Sequence, residues 1–314
     1  MFSDGIYTTG GVPKSDWSNV ANFTSNSIAC SGYEGVAITV LKDFGTTAKG
    51  PLQTIPFFYN NGERESVTGV WPNQNIATLC SGLCGVSFPA VVNRTAIAAG
   101  ADGTLYNTGV EVTLTAYGPV ASRPTQSLFL NGEPQYGTFG TLAGIDGYLY
   151  MFASITETSS SNGLKMARVP QSSWSSRSQY QFWNGASWVS TMPAYNDGGA
   201  ANVFSWSENP FGTPYGPGSG DIFYSQYYGT YILIFQSAAA AIDPNVYLSY
   251  SSSLSSGWST PVSIYQIPQI SDGYSYSLHA YPNYDSQQRV VPISWSTYST
   301  SQSYSIGMAN ITFS

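Results

Sequence analysis

Few side chains in this sequence could do chemistry. The 314 residues include 17 acidic and 10 basic side chains, one histidine and three cysteines. Any Ser-His-Asp or Cys-His mechanism would have to use His279, and no G-x-S-x-G elbow supplies a nucleophile for it. One His and three Cys also fall short of a catalytic zinc site. The glycine-rich GPGSGD at 216–221 contains Pro217 and lacks a following Lys-Ser/Thr, so it reads as a loop rather than a phosphate cradle. Carboxylates remain. Hydrolysis of a glycosidic bond needs two of them, one protonated to serve the leaving oxygen and one ionised to activate water or attack the sugar.

Acids at the entry or exit of a predicted strand are the best placed for this work. Asp221 opens GDIFYSQ ahead of a strongly apolar strand and is the first candidate, with a turn cap after Gly220 as its structural alternative. Asp146 in GIDGYLY is a candidate pocket acid, although Asp-Gly before a strand is first of all a hairpin turn. Glu208 in SWSENP and Glu65 in NGERESVTGVWP could reach a pocket from long loops, or stand there as solvated carboxylates. His279 in SYSLHAYPNY could hold a sugar hydroxyl or tune a neighbouring acid, or be a structural histidine. Trp71, Trp206, Tyr227 and Tyr228 sit beside Gly, Pro or Asn, where a flat ring could stack on a sugar face; core packing is the alternative for each. Trp183 and Trp188 in FWNGASW read as packing between sheets, and Arg168 and Arg64 as partners for carboxylates.

The elements that must position these groups are strands. With 8 Trp, 24 Tyr and 15 Phe against only 9% charged residues, helical bundles and charged disordered tails are disfavoured. A net charge of −7 without any basic run excludes a phosphate-backbone or anionic-membrane partner. Apolar runs such as Tyr231–Phe235 are far short of the roughly 20 residues a bilayer span needs. Cys80 and Cys84, in CSGLC, suit a short disulfide loop better than a metal clip. No organic cofactor or metal is called for; isolated Asp and backbone carbonyls would suffice for a structural Ca²⁺, but no EF-hand-like spacing supports one. Sequons at Asn22, Asn93 and Asn310 suit a glycosylated, secreted, extracellular protein. The opening MFSDGIYTTGG lacks a basic n-region and an apolar h-region, so a leader would have been removed or would lie upstream.

Predicted strands include GVAITVL (35–41), VEVTLTAY (110–117), GYLYMFA (147–153), TYILIFQ (230–236), VYLSY (246–250), VVPISW (290–295) and 304–311. They fall into loose repeats. GIDGYLYMFAS leads through LKMARVP to QYQFWNGASW; GDIFYSQYYGTYILIFQS leads to NVYLSYSSSLSSGW; HAYPNYDSQQRVVPISWS leads to SYSIGMANITF. Units of roughly 60 residues with three or four strands have the size of propeller blades, and five would fill the chain. The expectation is an all-β chain, a five-bladed β-propeller forming one domain over residues 1–314, with an irregular β-sandwich as the alternative.

The runs GVWPNQN at 69–75, LKMARVP before WNGASW, GDIFYSQYYGTYILIF and PISWSTYSTSQSYSIGMANI together resemble a family of secreted five-bladed propellers, formerly a domain of unknown function, that includes bacterial endo-D-arabinanases. The resemblance runs from Phe2 to Ile311 in short motifs. In that family an acid follows an early W-x-F-x-D strand, and MFSD looks like its end, which implies a catalytic role for Asp4 and a first blade incomplete at the N-terminus. It further implies a monomeric glycoside hydrolase acting on an arabinan or another cell-wall polysaccharide or oligosaccharide, with paired carboxylates from different blades. A lectin-like propeller that binds glycans without cleaving them is the alternative. A lyase using Tyr or His279 is a third, weakened by the scarcity of Arg and Lys to hold a uronate.

Overall fold

The computed structural model describes residues 55, 58–64, 66–71, 76–80, 84–115, 118–156, 162–206, 216–301 and 303–313. It also describes the backbone of four short strands, β1 (Gly5–Thr8), β2 (Asn22–Ser25), β3 (Ala29–Ser31) and β4 (Ile38–Val40), paired antiparallel as β1–β2 and β3–β4. The chain divides into two compact units, Met1–Asn131 and Gly132–Ser314.

The first unit contains one six-stranded antiparallel sheet: β5 (Thr68–Trp71), β6 (Ala77–Leu79), β7 (Cys84–Ser87), β8 (Ala90–Asn93), β9 (Thr104–Thr115) and β10 (Gly118–Leu130). The order is β5-β8-β9-β7-β6, with β10 also paired to β9. Pro89 separates β7 from β8, which occupy successive stretches of β9. Alternate residues of these strands bury Val70, Val91, Val110 and Val112 around Ile55. A short helix that the sequence reading did not anticipate, α1 (Arg94–Ala98), follows β8. Its N-cap is the sequon residue Asn93, whose Oδ1 accepts from the Thr95 and Ala96 amides at 2.9 and 3.1 Å. Cys80 and Cys84 are disulfide-bonded across the β6–β7 turn, with Cα atoms 5.2 Å apart.

The charged centre of this unit is a buried pair. Arg123 on β10 donates from both terminal nitrogens to the Glu63 carboxylate, at 2.7 and 2.9 Å, and the Arg123 guanidinium lies 4.6 Å from the Phe58 ring centroid. Burial by itself would push the Glu63 carboxyl up; the Arg123, Tyr106 and Phe58 hydrogen bonds outweigh it and hold the carboxyl below its ordinary 4.5. The pair therefore stabilises the fold above that ordinary value, and the contribution is lost as pH falls through the lower folded-state value. Glu63→Gln should destabilise this unit by about 3–5 kcal/mol near neutrality and flatten the acid limb of a plot of urea midpoint against pH.

The second unit is three antiparallel sheets. The first holds β11 (Gly140–Ala143), β12 (Tyr148–Ile155), β13 (Gly163–Pro170), β14 (Gln181–Trp183) and β15 (Trp188–Val189), with β16 (Asn202–Ser205) also on β13. The second is β17 (Pro217–Ser225), β18 (Thr230–Ser237), β19 (Asn245–Ser251) and β20 (Val262–Gln266); the third is β21 (Gly273–Ala280), β22 (Val290–Ser299) and β23 (Ser303–Thr312). Each sheet meanders outward from its first strand, and the first strands adjoin: β11 lies against β17, and β17 against β21. This is the arrangement of successive propeller blades. The first hairpin turns at Gly147, which takes φ +81° after Asp146.

The GPGSGD stretch expected as a loop is instead the start of β17, with a register irregularity between Pro217 and Ser219 that accommodates the missing proline N–H. Strand β18 is buried on both faces, which is why it reads as a continuous apolar run rather than an alternating one. Leu233 and Phe235 face the first sheet, where they meet Phe152, Leu164, Met166 and Phe204; Ile232 and Ile234 face the third, where they meet Leu278, Val291 and Ile293. Phe235 stands edge-on to Phe204 and Trp206, at 5.6 and 5.1 Å, and stacks on Tyr247 at 5.5 Å. Phe235→Ala should cost about 3–5 kcal/mol, read as a lowered urea midpoint.

Candidate functional site

Polar side chains buried on β17 and β18 must find partners within their own sheet or on the adjoining one. Three do so against β21. Ser219 Oγ accepts from the Leu278 amide at 2.9 Å, Asp221 Oδ2 accepts from the Ala280 amide at 2.8 Å, and Gln236 Nε2 donates to the Ser275 carbonyl at 3.3 Å. The Leu278 and Ala280 amides would otherwise be orphan donors on the first strand of a blade. Gly220, which sets Asp221 in place, has φ +154°, and a Cβ there would strike the Ile234 carbonyl and the Phe235 backbone.

Strand β21 carries a register irregularity between Tyr276 and His279, with Ser277 at φ +54°. Such a bulge re-aims the side chains that follow it. It leaves His279 opposite Ser294 of β22, with its Nδ1 3.5 Å from Asp221 Oδ2. Two residues on, the Tyr281 hydroxyl and Ser294 Oγ are 2.7 Å apart. Asp221 and His279 are 1% and 5% exposed, and Asp221 Oδ1 and His279 Nε2 are buried with no hydrogen-bond partner. The result is a carboxylate fixed through one oxygen, its other oxygen unoccupied, beside an imidazole with an unoccupied nitrogen. Chemically, such a pair can hold or pass a proton at Asp221 Oδ1 or His279 Nε2. Burial pushes the Tyr281 phenol up to about 12, opposed by the Ser294 hydrogen bond and helped by a smaller push from the Asp221 charge. The folded chain thus keeps a proton that the unfolded chain releases near 10, so stability falls as pH rises from 10 toward about 12. Tyr281→Phe should reduce the high-pH phase of a tyrosinate absorbance titration and flatten that alkaline decline.

Of the described residues expected to form the site, Asp221 and His279 are brought together from different sheets. Asp146 stays at its own hairpin, accepting from the Tyr148 amide at 3.2 Å and the Tyr150 hydroxyl at 2.6 Å. Trp206, expected as a loop platform for sugar, is 7% exposed and wedged against Phe235 and Tyr247, the latter at 4.7 Å, so no ring face is open to a ligand. Tyr227 and Tyr228 are exposed in the β17–β18 turn, edge to face at 4.8 Å, with Arg289 over Tyr227 and Phe313 beside Tyr228. Trp71 ends β5 half-buried in the first unit, and Asn310 is exposed on β23. Asp4, Glu65, Glu208 and the Asn22 side chain lie outside the described residues. Among the described residues no group of three or more His, Cys, Asp and Glu side chains is placed to hold a metal ion. Sequence reasoning missed Tyr281 and Ser294, although Tyr281 follows His279 at strand period. It also missed Glu63, which nothing in NGERES distinguishes from Glu65.

Adjoining meander sheets with an Asp-His pair between their first strands define an all-β protein of propeller type. The family described as Domain of unknown function (DUF5005) matches residues 18–307, and the chain belongs to it. Among solved structures it is similar to a protein of Bacteroides ovatus provisionally named a hydrolase, with 14% identity and a TM-score of 0.52, over 75% of this chain and 56% of that one. The chain thus spans little more than half the length of that protein. An exo-β-1,3-galactanase from Phanerochaete chrysosporium matches with 11% identity and a TM-score of 0.45, over 79% of this chain and 47% of that one. An N-acetylgalactosamine deacetylase from F. plautii matches with 11% identity and a TM-score of 0.42, over 76% and 71% of the two chains. No curated protein matches the sequence.

Proposed function

We propose that this chain is a carbohydrate-active hydrolase that cleaves glycosidic bonds in an arabinan or another cell-wall glycan. The observation that carries the reading is the buried Asp221–His279 pair, in which Asp221 Oδ1 and His279 Nε2 have no hydrogen-bond partner. In this scheme, within a five-bladed propeller, Asp221 acts with a second carboxylate from another blade. His279 tunes and orients Asp221. The sequons support a secreted, glycosylated protein. The low charge and the choice of acids over other nucleophiles support a neutral polysaccharide as substrate.

A second reading is a glycan-binding protein without hydrolytic activity, favoured by the 1% exposure of Asp221 and its bond to the Ala280 amide. Asp221→Asn decides between them. Under the hydrolase reading, wild-type protein releases reducing ends from soluble arabinan or a related cell-wall glycan, and the variant, folded as judged by circular dichroism, loses at least about 100-fold of that rate. Glycan binding with no product from the wild type favours the second reading, and full activity in the variant removes Asp221 from the mechanism.

A further inference from the structure

The seam between the first two sheets of the second unit holds a second group of side chains that the Asp221–His279 pair does not use. Strand register lines up Tyr150, Arg168 and Gln181 in one row across β12, β13 and β14. Asp146 holds the Tyr150 hydroxyl at 2.6 Å, and Arg168 Nε donates to Gln181 Oε1 at 2.8 Å. The Tyr148 and Trp188 rings both have centroids 4.3 Å from the Arg168 guanidinium. Trp188 also meets Trp183 edge-on at 5.6 Å. From the second sheet, Tyr231 packs against the same seam, with Tyr224 edge-on to it at 5.2 Å. Tyr231 packs against the same core cluster as Tyr150, Trp183 and Trp188, so the two sheets meet at one patch.

This patch differs from core packing in its exposure. Asp146 is exposed, Tyr224 is 38% exposed, and Tyr148, Tyr150, Arg168, Trp183 and Trp188 are each only partly buried. The one carboxylate and one guanidinium offset each other, which gives a polyanion or polycation nothing to select. What the patch offers instead is rings held flat by their neighbours, beside planar carboxylate, guanidinium and amide groups with hydrogen-bonding capacity to spare. A neutral sugar is complementary to that set: its C–H face stacks on an aromatic ring, and its vicinal hydroxyls are recognised in pairs by a carboxylate or guanidinium fork. We infer that this seam is an accessory binding surface for a neutral oligosaccharide. The choice of ligand class rests on the carbohydrate-active reading above; the surface does not require hydrolysis.

The test is titration of the wild-type protein with neutral arabino- and xylo-oligosaccharides and with oligogalacturonate, followed by tryptophan fluorescence and calorimetry, with reducing-end release measured in the same samples. Expected is binding of a neutral oligosaccharide, weakened about tenfold by Asp146→Asn and by Trp188→Ala. Asp146 is exposed, so its variant should keep the wild-type thermal midpoint and remain informative if Trp188→Ala unfolds. No binding of any neutral oligosaccharide, a preference for oligogalacturonate, or wild-type affinity in Asp146→Asn would each overturn the inference. Affinity that depends on Asp146 upholds it whether or not product appears, so failure of the hydrolase reading is seen separately.

Discussion

The second unit depends on a sheet, β17 to β20, that is covered on both faces. Its β18 strand sends Leu233 and Phe235 into one seam and Ile232 and Ile234 into the other, so the hydrophobic effect acts between sheets rather than beneath a single one. Sheets packed in this way need large, flat side chains to fill the gap, and Phe204, Trp206, Phe235 and Tyr247 fill it with edge-on and stacked rings. The high aromatic content and the scarcity of charge have the same origin. A chain whose strands are buried twice has few positions where Lys or Glu could reach water.

The same constraint explains where polar groups occur. On a doubly covered strand, a buried polar side chain needs a partner in its own sheet or in the neighbouring one. Ser219, Asp221 and Gln236 meet this condition by bonding backbone groups of β21, and they tie two blades together while sealing donors of a first strand. Asp221 goes further than the structural task requires. An Asn would also offer one oxygen to the Ala280 amide, yet the residue present is a carboxylate, set beside the chain's one imidazole. In the first unit, Glu63 and Arg123 show the contrasting case, a buried pair whose hydrogen bonds are filled by Tyr106 and Phe58 as well as by each other. Filled in that way, it is a structural pair. The Asp221–His279 pair, with Asp221 Oδ1 and His279 Nε2 unpartnered, is the ground for the chemical role proposed here.

In the proposed reading, function divides between a buried place and an exposed one. Acid-base chemistry needs a group held in a fixed orientation, which the Ala280 amide supplies to Asp221. Holding a long polymer needs ring faces within reach of solvent, which the hairpin end of the first sheet supplies through Tyr148, Trp188 and their neighbours. The family to which the chain belongs carries no assigned activity, and the structural likenesses speak to fold alone.

Local pattern was enough to read the class of fold. The runs at 147–153, 230–236, 246–250 and 290–295 all lie within strands or reach one residue beyond them, because β-propensity and bounding Gly and Asn act over a few residues. Composition similarly showed that the chain carries no basic run of the kind that binds phosphate backbones or anionic surfaces, because charge is a sum over residues and needs no geometry. What depended on distant pairing was not legible. GPGSGD looks like a loop until β18 pairs with it, and Trp206 looks like a loop ring until Phe235 and Tyr247 close over it. Glu63 and Glu65 are indistinguishable in sequence, yet Arg123, 60 residues on, takes Glu63. The sequence by itself determined that this is an all-β chain with few candidate acids and one histidine. Only the tertiary structure decided that Asp221 meets His279, because that meeting requires two blades to adjoin and a bulge in β21 to turn the ring, and neither leaves a trace in local pattern.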